Sequence, residues 1–378
     1  MKIAILHSHL TKLNGAGRMV TEIGNGLVAL GHDVWIVSIA INDRIYDFDE
    51  RVNLHEINEH TPDNPLFWMK IPLVVRGFVK EISRIKPDYI LANHFPSNWV
   101  LLNSGINGHW LCHEPYPYFY NFDQVEQNPL TQIGARIISR IYSKMDIKAA
   151  RSLKILANSR YTQESIKRIF KRHSEVLHPG FSNEILGMNN PKSKDKSVLS
   201  IGPSKPLKRL DITIKCMIDL SHKIPDLKLK VIGPIWEPYR HLLIDLYKKS
   251  KIDVKILGTL PKLGYYSEIQ KAGVVSFPSH KEPFGIVPLE AAALGTPVVY
   301  FKSGGLLDSM IDGVTGIGLD EGDISGFAAA LEHILRGDFR IDSTSSEFKI
   351  HLQKFTWDSV VEKLLSKIEE RRKMDGVS

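Results

Sequence analysis

Two glutamates eight residues apart, Glu282 and Glu290, bracket an expected helix start in the run Ser279-His280-Lys281-Glu282-Pro283-Phe284-Gly285-Ile286-Val287-Pro288-Leu289-Glu290. Upstream, Gly273-Val274-Val275-Ser276-Phe277 is a short apolar run of buried parallel-strand type. Downstream, Ala291, Ala292, Ala293 and Leu294 are strong helix formers, closed by Gly295 and Pro297. The pattern predicts a helix that begins near Phe284 or Gly285. Gly285 lets a ligand approach the backbone, and the free N–H groups of the first turn with the positive dipole end favour a phosphate. Phe284, Gly285, Ile286 and Val287 are therefore expected to line an anion site. Glu282 falls in the loop before the helix and Glu290 inside it, roughly 7 to 8 Å further along at about 1.5 Å per residue. Carboxylates so separated can accept hydrogen bonds from a sugar at one end and a ribose at the other, with a diphosphate between them.

The spacing of Glu282 and Glu290, with Pro-Phe-Gly after the first, resembles the Glu-x7-Glu signature of retaining glycosyltransferases of the GT4 type. The resemblance spans roughly residues 2 to 360. Gly304-Gly305-Leu306-Leu307-Asp308 and Asp312-Gly313-Val314-Thr315-Gly316 are similar to the family's GG-x-x-E and DG-x-x-G segments, with Asp308 standing where Glu is usual. Asn14-Gly15-Ala16-Gly17-Arg18 and Gly31-His32-Asp33-Val34 resemble its Gly-Gly-Ala-Glu-Arg and Gly-His-x-Val stretches. The resemblance implies that the Gly15–Gly17 loop closes over the diphosphate or the acceptor. The loop fails as a dinucleotide fingerprint, because Val20 holds the third glycine position and no acid ends the second strand. Lys208 aligns with the family's diphosphate lysine. Pro203 occupies the position of a second cation, usually arginine, for which Lys205 is the nearest substitute.

His113-Glu114-Pro115-Tyr116-Pro117-Tyr118 follows an apolar strand candidate, at the carboxyl end where open α/β sheets place ligands. It resembles the family's His-x-Pro segment, whose histidine faces the transferred sugar, so His113, Glu282 and Lys208 are the expected catalytic residues. Glu114 and Tyr116 are expected at the acceptor, with Arg160 beside them. An equally good reading of Asn158-Ser159-Arg160 is a serine helix cap followed by a surface arginine.

Stepping along the chain, strand candidates alternate with helical stretches. Lys2 to Leu6 and Val34 to Ser38 enclose a helix from about Ala16 to Leu30, a βαβ unit. Strands are also expected near Asn53 to Glu56, Tyr89 to Ala92, Trp110 to Cys112, Lys154 to Ala157 and Val176 to Leu177. A polar linker around Pro179-Gly180 and Asn189 to Lys196 precedes a second alternation with strands from Val198 to Leu319. The expectation is an α/β protein with two doubly wound Rossmann-like domains, and the resemblance implies that they face across a cleft as in the GT-B architecture. Residues 1–180 would form the acceptor-binding domain and 181–355 the nucleotide-sugar domain. The helical segment 356–378 would cross back to the first.

The 378 residues carry 43% hydrophobic and 24% charged side chains, ordinary for a soluble chain. Two cysteines, Cys112 and Cys216, are too few for a disulfide framework, so a reducing, cytoplasmic setting is expected. No HExxH or cysteine-rich spacing is present, and Asp43, Asp47 and Asp49 are not expected to form the DxD that metal-dependent transferases of another fold use, so neither metal nor cofactor is expected. The net charge of +7 is uneven: residues 136–172 hold eleven Lys and Arg against Asp146 and Glu164. Arg136, Arg140, Lys144 and Lys148 recur on one helix stripe, beside Ile137, Ile138, Ile141 and Tyr142. Such a stripe can lie on anionic lipid, giving peripheral contact with the inner membrane face, or can simply be solvated. No nucleic-acid motif accompanies it. The resemblance implies transfer of a hexose from a UDP- or GDP-sugar to a glycan or lipid-linked acceptor. A nucleotide-sugar epimerase or hydrolase of related fold, or a non-catalytic sugar-nucleotide-binding protein, is the alternative.

Overall fold

Apolar residues on both faces of a strand call for helices above and below a parallel sheet, and the chain builds two such sheets. The computed structural model describes all residues except 58–66, 121–131, 189–190, 192, 203–205, 236, 251 and 375–378. In order, the elements are β1 Lys2–Leu10, α1 Gly15–Ala29, β2 Asp33–Ile41, β3 Asn53–Glu56, α2 Phe67–Ile85, β4 Tyr89–Asn93, α3 Ser97–Ser104, β5 Gly108–Cys112, α4 Pro117–Tyr120, α5 Gln132–Ser152, β6 Lys154–Ala157, α6 Arg160–Phe170 and β7 Glu175–Val176. They continue as β8 Ser197–Ile201, α7 Leu210–Ser221, β9 Lys228–Ile232, α8 Glu237–Ser250, β10 Asp253–Gly258, α9 Lys262–Lys271, β11 Val274–Phe277, α10 Ile286–Ala293, β12 Val298–Phe301, α11 Leu306–Ser309, β13 Gly316–Leu319, α12 Ile324–Arg336, α13 Ser346–Gln353 and α14 Trp357–Met374. Packing divides the chain into two units, Met1–Gly180 with Trp357–Ser378, and Phe181–Thr356.

The first unit carries a seven-stranded sheet in the order β3-β2-β1-β4-β5-β6-β7, with every pair parallel. Alternation along β1 sorts its two faces. Ile3 and Ile5 pack with Leu27 and Val28 of α1 and with Val360, Val361 and Leu364 of α14, whereas Ala4 and Leu6 pack with Val74 and Phe78 of α2 and Val100 of α3. A Cβ on Gly26 would stand 2.6 Å from a methyl of Val361, so glycine is what lets α1 and α14 approach this closely. β1 extends to Leu10, which puts His7 and His9 inside the strand rather than after it, because it pairs with β2 as far as Ile41.

The second unit carries a six-stranded parallel sheet in the order β10-β9-β8-β11-β12-β13. Leu199, Val275 and Tyr300 face a core shared with α9, α10 and α13; Val198, Val274 and Phe301 face one shared with α7 and α12. The segment expected to be a free linker is in part structural. Phe181 and Ile185 are buried in this unit's core, and the Phe181 N–H donates to the Phe355 carbonyl, so two apolar side chains tie down 181–185. Both sheets reverse strand order once, between β1 and β4 and between β8 and β11, and such switch points open a crevice at the strands' carboxyl ends.

Candidate functional site

At the β8/β11 switch point of the second unit, Lys208 and Glu282 form an ion pair, Nζ to Oε2 2.6 Å. Lys208 ends a 3₁₀ turn, Pro206–Lys208, on the loop after β8, and Glu282 lies on the loop after β11. Both side chains are mostly shielded, 26% and 16% exposed. The Lys208 ammonium also lies 4.8 Å from the centre of the Phe277 ring, a cation–π contact that braces it from the strand side. The His280 N–H donates to the Leu207 carbonyl at 2.9 Å, which joins the two loops through their backbones.

Glycines hold the Glu282 loop in place by close approach. The Gly305 N–H donates to the Glu282 carbonyl at 2.7 Å. A Cβ on Gly304, itself at φ 61°, would stand 2.4 Å from that same oxygen, and one on Gly305 2.2 Å from the Pro283 carbonyl. The Gly304-Gly305 pair is thus a mould for the backbone that carries Glu282. The Asp312 to Gly316 segment works locally: Asp312 Oδ1 accepts from the Gly318 N–H, the Thr315 hydroxyl bonds the Ile311 backbone, and a Cβ on Gly316 would strike the Val298 carbonyl.

α10 begins at Ile286, capped by Gly285 at φ 92°, ψ 59°, a left-handed conformation that glycine adopts without penalty. Glycine at the cap has no side chain to close this N-terminus, and no acid occupies its first turn. Pro288 lacks an N–H, so the first-turn donors aimed outward are those of Ile286 and Val287. Phe284 departs from expectation in its side chain: the ring is buried against Phe355, and the carbonyl accepts from the Ser309 hydroxyl at 2.8 Å. It can meet a ligand only through its backbone. Glu290 is fully buried, with Oε2 accepting from the Tyr265 hydroxyl at 2.8 Å, so reaching a ribose requires that phenol to share or yield. Pro203 and Lys205 lie outside the described residues.

At the β1/β4 switch point of the first unit, the signal missed in the sequence was Asn93, the last residue of β4. Its side-chain amide donates to the Ala16 carbonyl at 3.2 Å, and its Oδ1 accepts from His113 Nε2 at 2.5 Å. Its backbone carbonyl accepts from His7 Nδ1 and from the Ser97 hydroxyl. His94, at φ 68°, places its ring 6.1 Å from that of His113. Three histidines therefore gather here, His7 within the carboxyl-terminal half of β1 and His94 and His113 just after β4 and β5. Burial holds His7 down at about 3 and His94 at about 4. Burial first, then the His94 and His7 imidazoles, holds His113 well below the usual histidine range, so all three rings are neutral near pH 7. Polar residues in or just after the carboxyl-terminal part of three neighbouring parallel strands, His7, Asn93 with His94, and His113, were the available clue.

Gly15–Gly17, expected as a loop, is the first turn of α1 and is less open than expected. Asn14 caps α1 by accepting from the Gly17 N–H at 2.8 Å, which removes that donor from any phosphate. Gly17 is required by packing, since a Cβ there would stand 2.2 Å from the Tyr46 hydroxyl; Gly15 is exposed. Tyr116 is half-buried in an aromatic cluster with Phe95, Phe119 and His94, which leaves one part of it for a ligand. Glu114 is also half-buried, two residues from it. Ser159 caps α6 by accepting from the Thr162 N–H, and Arg160 is exposed at its first turn, as the capping reading has it.

On α5, Arg140, Lys144 and Lys148 are exposed; the Arg136 side chain lies outside the described residues. Ile141 and Met145 are not on the buried side but stand exposed beside the cations, 56% and 44%, because Tyr142, Asp146 and Ala149 turn inward instead. Among the described residues no helix is long and apolar enough to cross a membrane, and no group of three His, Cys, Asp or Glu side chains is arranged to hold a metal.

Comparison with known proteins extends these observations. Residues 13–184 match the profile of Glycosyltransferase Family 4, and residues 182–348 that of Glycosyl transferases group 1. Among curated proteins, the chain is 28% identical over 210 residues to a D-inositol 3-phosphate glycosyltransferase of Kribbella flavida, covering 51% of this chain and 50% of that one. It is 31% identical over 147 residues to a glycogen synthase of Mycobacterium tuberculosis, covering 38% and 35%. The chain spans about half the length or less of these curated relatives. Among solved structures, a sucrose-phosphate synthase from Thermosynechococcus elongatus superposes over the whole of both chains with a TM-score of 0.77 at 19% identity. The Anabaena protein HepE, solved with UDP-glucose, gives 0.72 at 18% identity over 98% of this chain and 100% of that one. The fold is that of the GT-B glycosyltransferases, and the chain belongs to the group 1, family 4 glycosyltransferases.

Proposed function

We propose that this protein transfers a hexosyl unit from a nucleoside diphosphate sugar, a UDP- or GDP-sugar, to a hydroxyl of a glycan or lipid-linked acceptor, with retention of anomeric configuration. The observation that carries this reading is the Lys208–Glu282 pair with the glycine-capped N-terminus of α10 on the same loop after β11, at a sheet switch point. It offers a cation and two helix N–H groups to a diphosphate, and a carboxylate to sugar hydroxyls, within one loop cluster. The UDP-glucose held by the Anabaena relative supports a nucleotide-sugar donor.

In the reaction, the acceptor oxygen forms a bond to the anomeric carbon while the bond from that carbon to the diphosphate oxygen breaks. The bonding pair leaves with the diphosphate, and the acceptor's proton passes to the departing phosphate oxygen on the same face. Lys208 and the Ile286 and Val287 N–H groups offset the charge that builds on the leaving group. Glu282 holds sugar hydroxyls and tightens as positive charge develops on the ring, and Glu290 serves the ribose. In the first unit, His113 offers a ring nitrogen to a sugar hydroxyl, with Glu114, Tyr116 and Arg160 toward the acceptor. No step calls for a metal, so activity should survive EDTA.

The exposed α5 face, Arg140, Lys144 and Lys148 with Ile141 and Met145, suits an anionic lipid surface near which a lipid-linked acceptor resides. The test of the main reading is incubation with a panel of nucleotide sugars, with and without acceptor extracts. Nucleoside diphosphate release that depends on acceptor supports it. Release without acceptor, or donor binding without turnover, overturns it in favour of a hydrolase, an epimerase or a binding protein.

A further inference from the structure

At the switch point of the first sheet, Asn93 links three elements that the proposed reaction treats separately: the first turn of α1, the end of β4 and the His113 loop after β5. The Ala16 carbonyl has no hydrogen to give, so the Asn93 atom 3.2 Å from it must be the amide nitrogen. The other side-chain atom, 2.5 Å from His113 Nε2, is then the amide oxygen, which can only accept. His113 Nε2 must therefore carry the hydrogen. A neutral imidazole with hydrogen on Nε2 has a bare lone pair on Nδ1, and no described residue supplies a donor to that atom. Burial and the neighbouring imidazoles keep the ring neutral, so the lone pair persists near pH 7.

The backbone fixes the same geometry from two more sides. The Thr162 hydroxyl donates to the His113 carbonyl at 2.9 Å, which anchors the loop to α6. His7 Nδ1 and the Ser97 hydroxyl both donate to the Asn93 carbonyl, which anchors the end of β4 to β1 and α3. Asn93 is itself buried, and neither its side chain nor its backbone can rotate without losing hydrogen bonds, those of its carbonyl being to the buried His7 and Ser97.

We propose that Asn93 is a positioning residue that sets the tautomer of His113, so that His113 Nδ1 acts as a hydrogen-bond acceptor for a hydroxyl of the transferred sugar. The acceptor role rests on the function proposed above; the tautomer does not. By the same amide, Asn93 ties His113 to Ala16 in the first turn of α1, so a shift there is felt at the histidine.

The test is long-range ¹H–¹⁵N correlation on the full chain with ¹⁵N-labelled histidine at pH 7, with His113 assigned by the signal lost in His113→Gln. The expected spectrum of the parent shows a pyrrole-type Nε2 and a pyridine-type Nδ1 for His113. A His113 signal with the hydrogen on Nδ1, or with averaged shifts, overturns the proposal before any variant is made. Asn93→Leu should average the two nitrogen shifts, and Asn93→Ser, which keeps a small polar side chain, should do so less. Unchanged His113 shifts in folded Asn93→Leu also overturn it. Kinetics separate the two layers. If the tautomer is as stated and Asn93→Leu lowers kcat on the order of tenfold or more, as for loss of a group that orients a catalytic residue, both readings stand. If the tautomer is as stated but no donor is turned over by the parent protein, the proposed reaction fails while the tautomer assignment stands.

Discussion

Removing the Lys208 ammonium should act on two measurable quantities by different amounts. In the free protein Lys208 neutralises Glu282, with the two side chains 26% and 16% exposed. This degree of shielding lies between an exposed pair, whose contribution is ~0–1 kcal/mol, and a buried one, whose loss of a partner costs ~3–5 kcal/mol. Lys208→Ala should therefore destabilise the second unit by about 1–2 kcal/mol, a fall in Tm of roughly 2–8 °C for a domain of this size. With donor bound, the same ammonium is proposed to meet the leaving diphosphate, and loss of one preorganised charge stabiliser typically lowers kcat by about 10²–10³-fold, ~2.7–4 kcal/mol. The assay is a double-mutant cycle of Lys208→Ala and Glu282→Ala, with thermal melts and steady-state kinetics on all four proteins. In the melts the two substitutions should be less than additive, because each removes the same ion pair. In the rates the double variant should be slower than either single variant, because the two side chains serve different parts of the donor. A double variant no slower than Glu282→Ala alone would refute this, since Lys208 would then act only by holding Glu282.

Gly305→Ala should drive a Cβ toward the Pro283 carbonyl, 2.2 Å away, and push the Glu282 loop outward; we expect a loss of about 2 kcal/mol or more in chemical denaturation together with a large fall in kcat, and wild-type values in both would contradict the mould. In acid, His7, His94 and His113, whose folded values are lowered, stabilise above their unfolded value of about 6.5 and lose that contribution as pH falls toward about 4 and below. Asp146, raised by burial to about 6, opposes them by binding one proton in the folded state over the same range. Three lowered histidines outnumber the one raised carboxyl, so the stability of the first unit should fall as the pH drops from 7 to 5, measured by urea midpoints at pH 7, 6 and 5. A midpoint that stays level or rises across that range would overturn the assignment. For α5, each cation near an anionic surface contributes about 1 kcal/mol, so Arg140, Lys144 and Lys148 should give salt-sensitive co-sedimentation with anionic but not neutral liposomes. Equal pelleting of a triple Glu variant would leave the stripe as a solvated face.

The parts of this account legible in the sequence are those where local composition and tertiary structure agree. Strands such as Lys154–Ala157 and Val274–Phe277 lie where their apolar runs predicted, because strands buried on both faces need continuous hydrophobicity. The Glu282 to Glu290 run also announced its loop and helix, with the start displaced only to Ile286 by the left-handed Gly285. What stayed hidden depends on partners distant in sequence. The aromatic ring of Phe284 reads as a ligand contact until Phe355 covers it, and Glu290 reads as accessible until Tyr265 closes over it. Asn93 fell just past the expected Tyr89 to Ala92 strand; its meaning comes from Ala16 and His113, 77 and 20 residues away. The outward turn of Ile141 and Met145 could not be phased from a helix stripe alone, since Tyr142 and Asp146 offer a competing inward face.

The most direct test of the proposed reaction is a time course by ¹H NMR of donor, acceptor and enzyme, counting nucleoside diphosphate released against new glycosidic linkages and reading the anomeric coupling of the product. The account predicts one diphosphate per linkage, the same anomeric configuration in product as in donor, and near-complete loss of both in Glu282→Ala with donor binding largely kept. Diphosphate released without a new linkage, an inverted product, or a Glu282→Ala enzyme with unchanged turnover would contradict it.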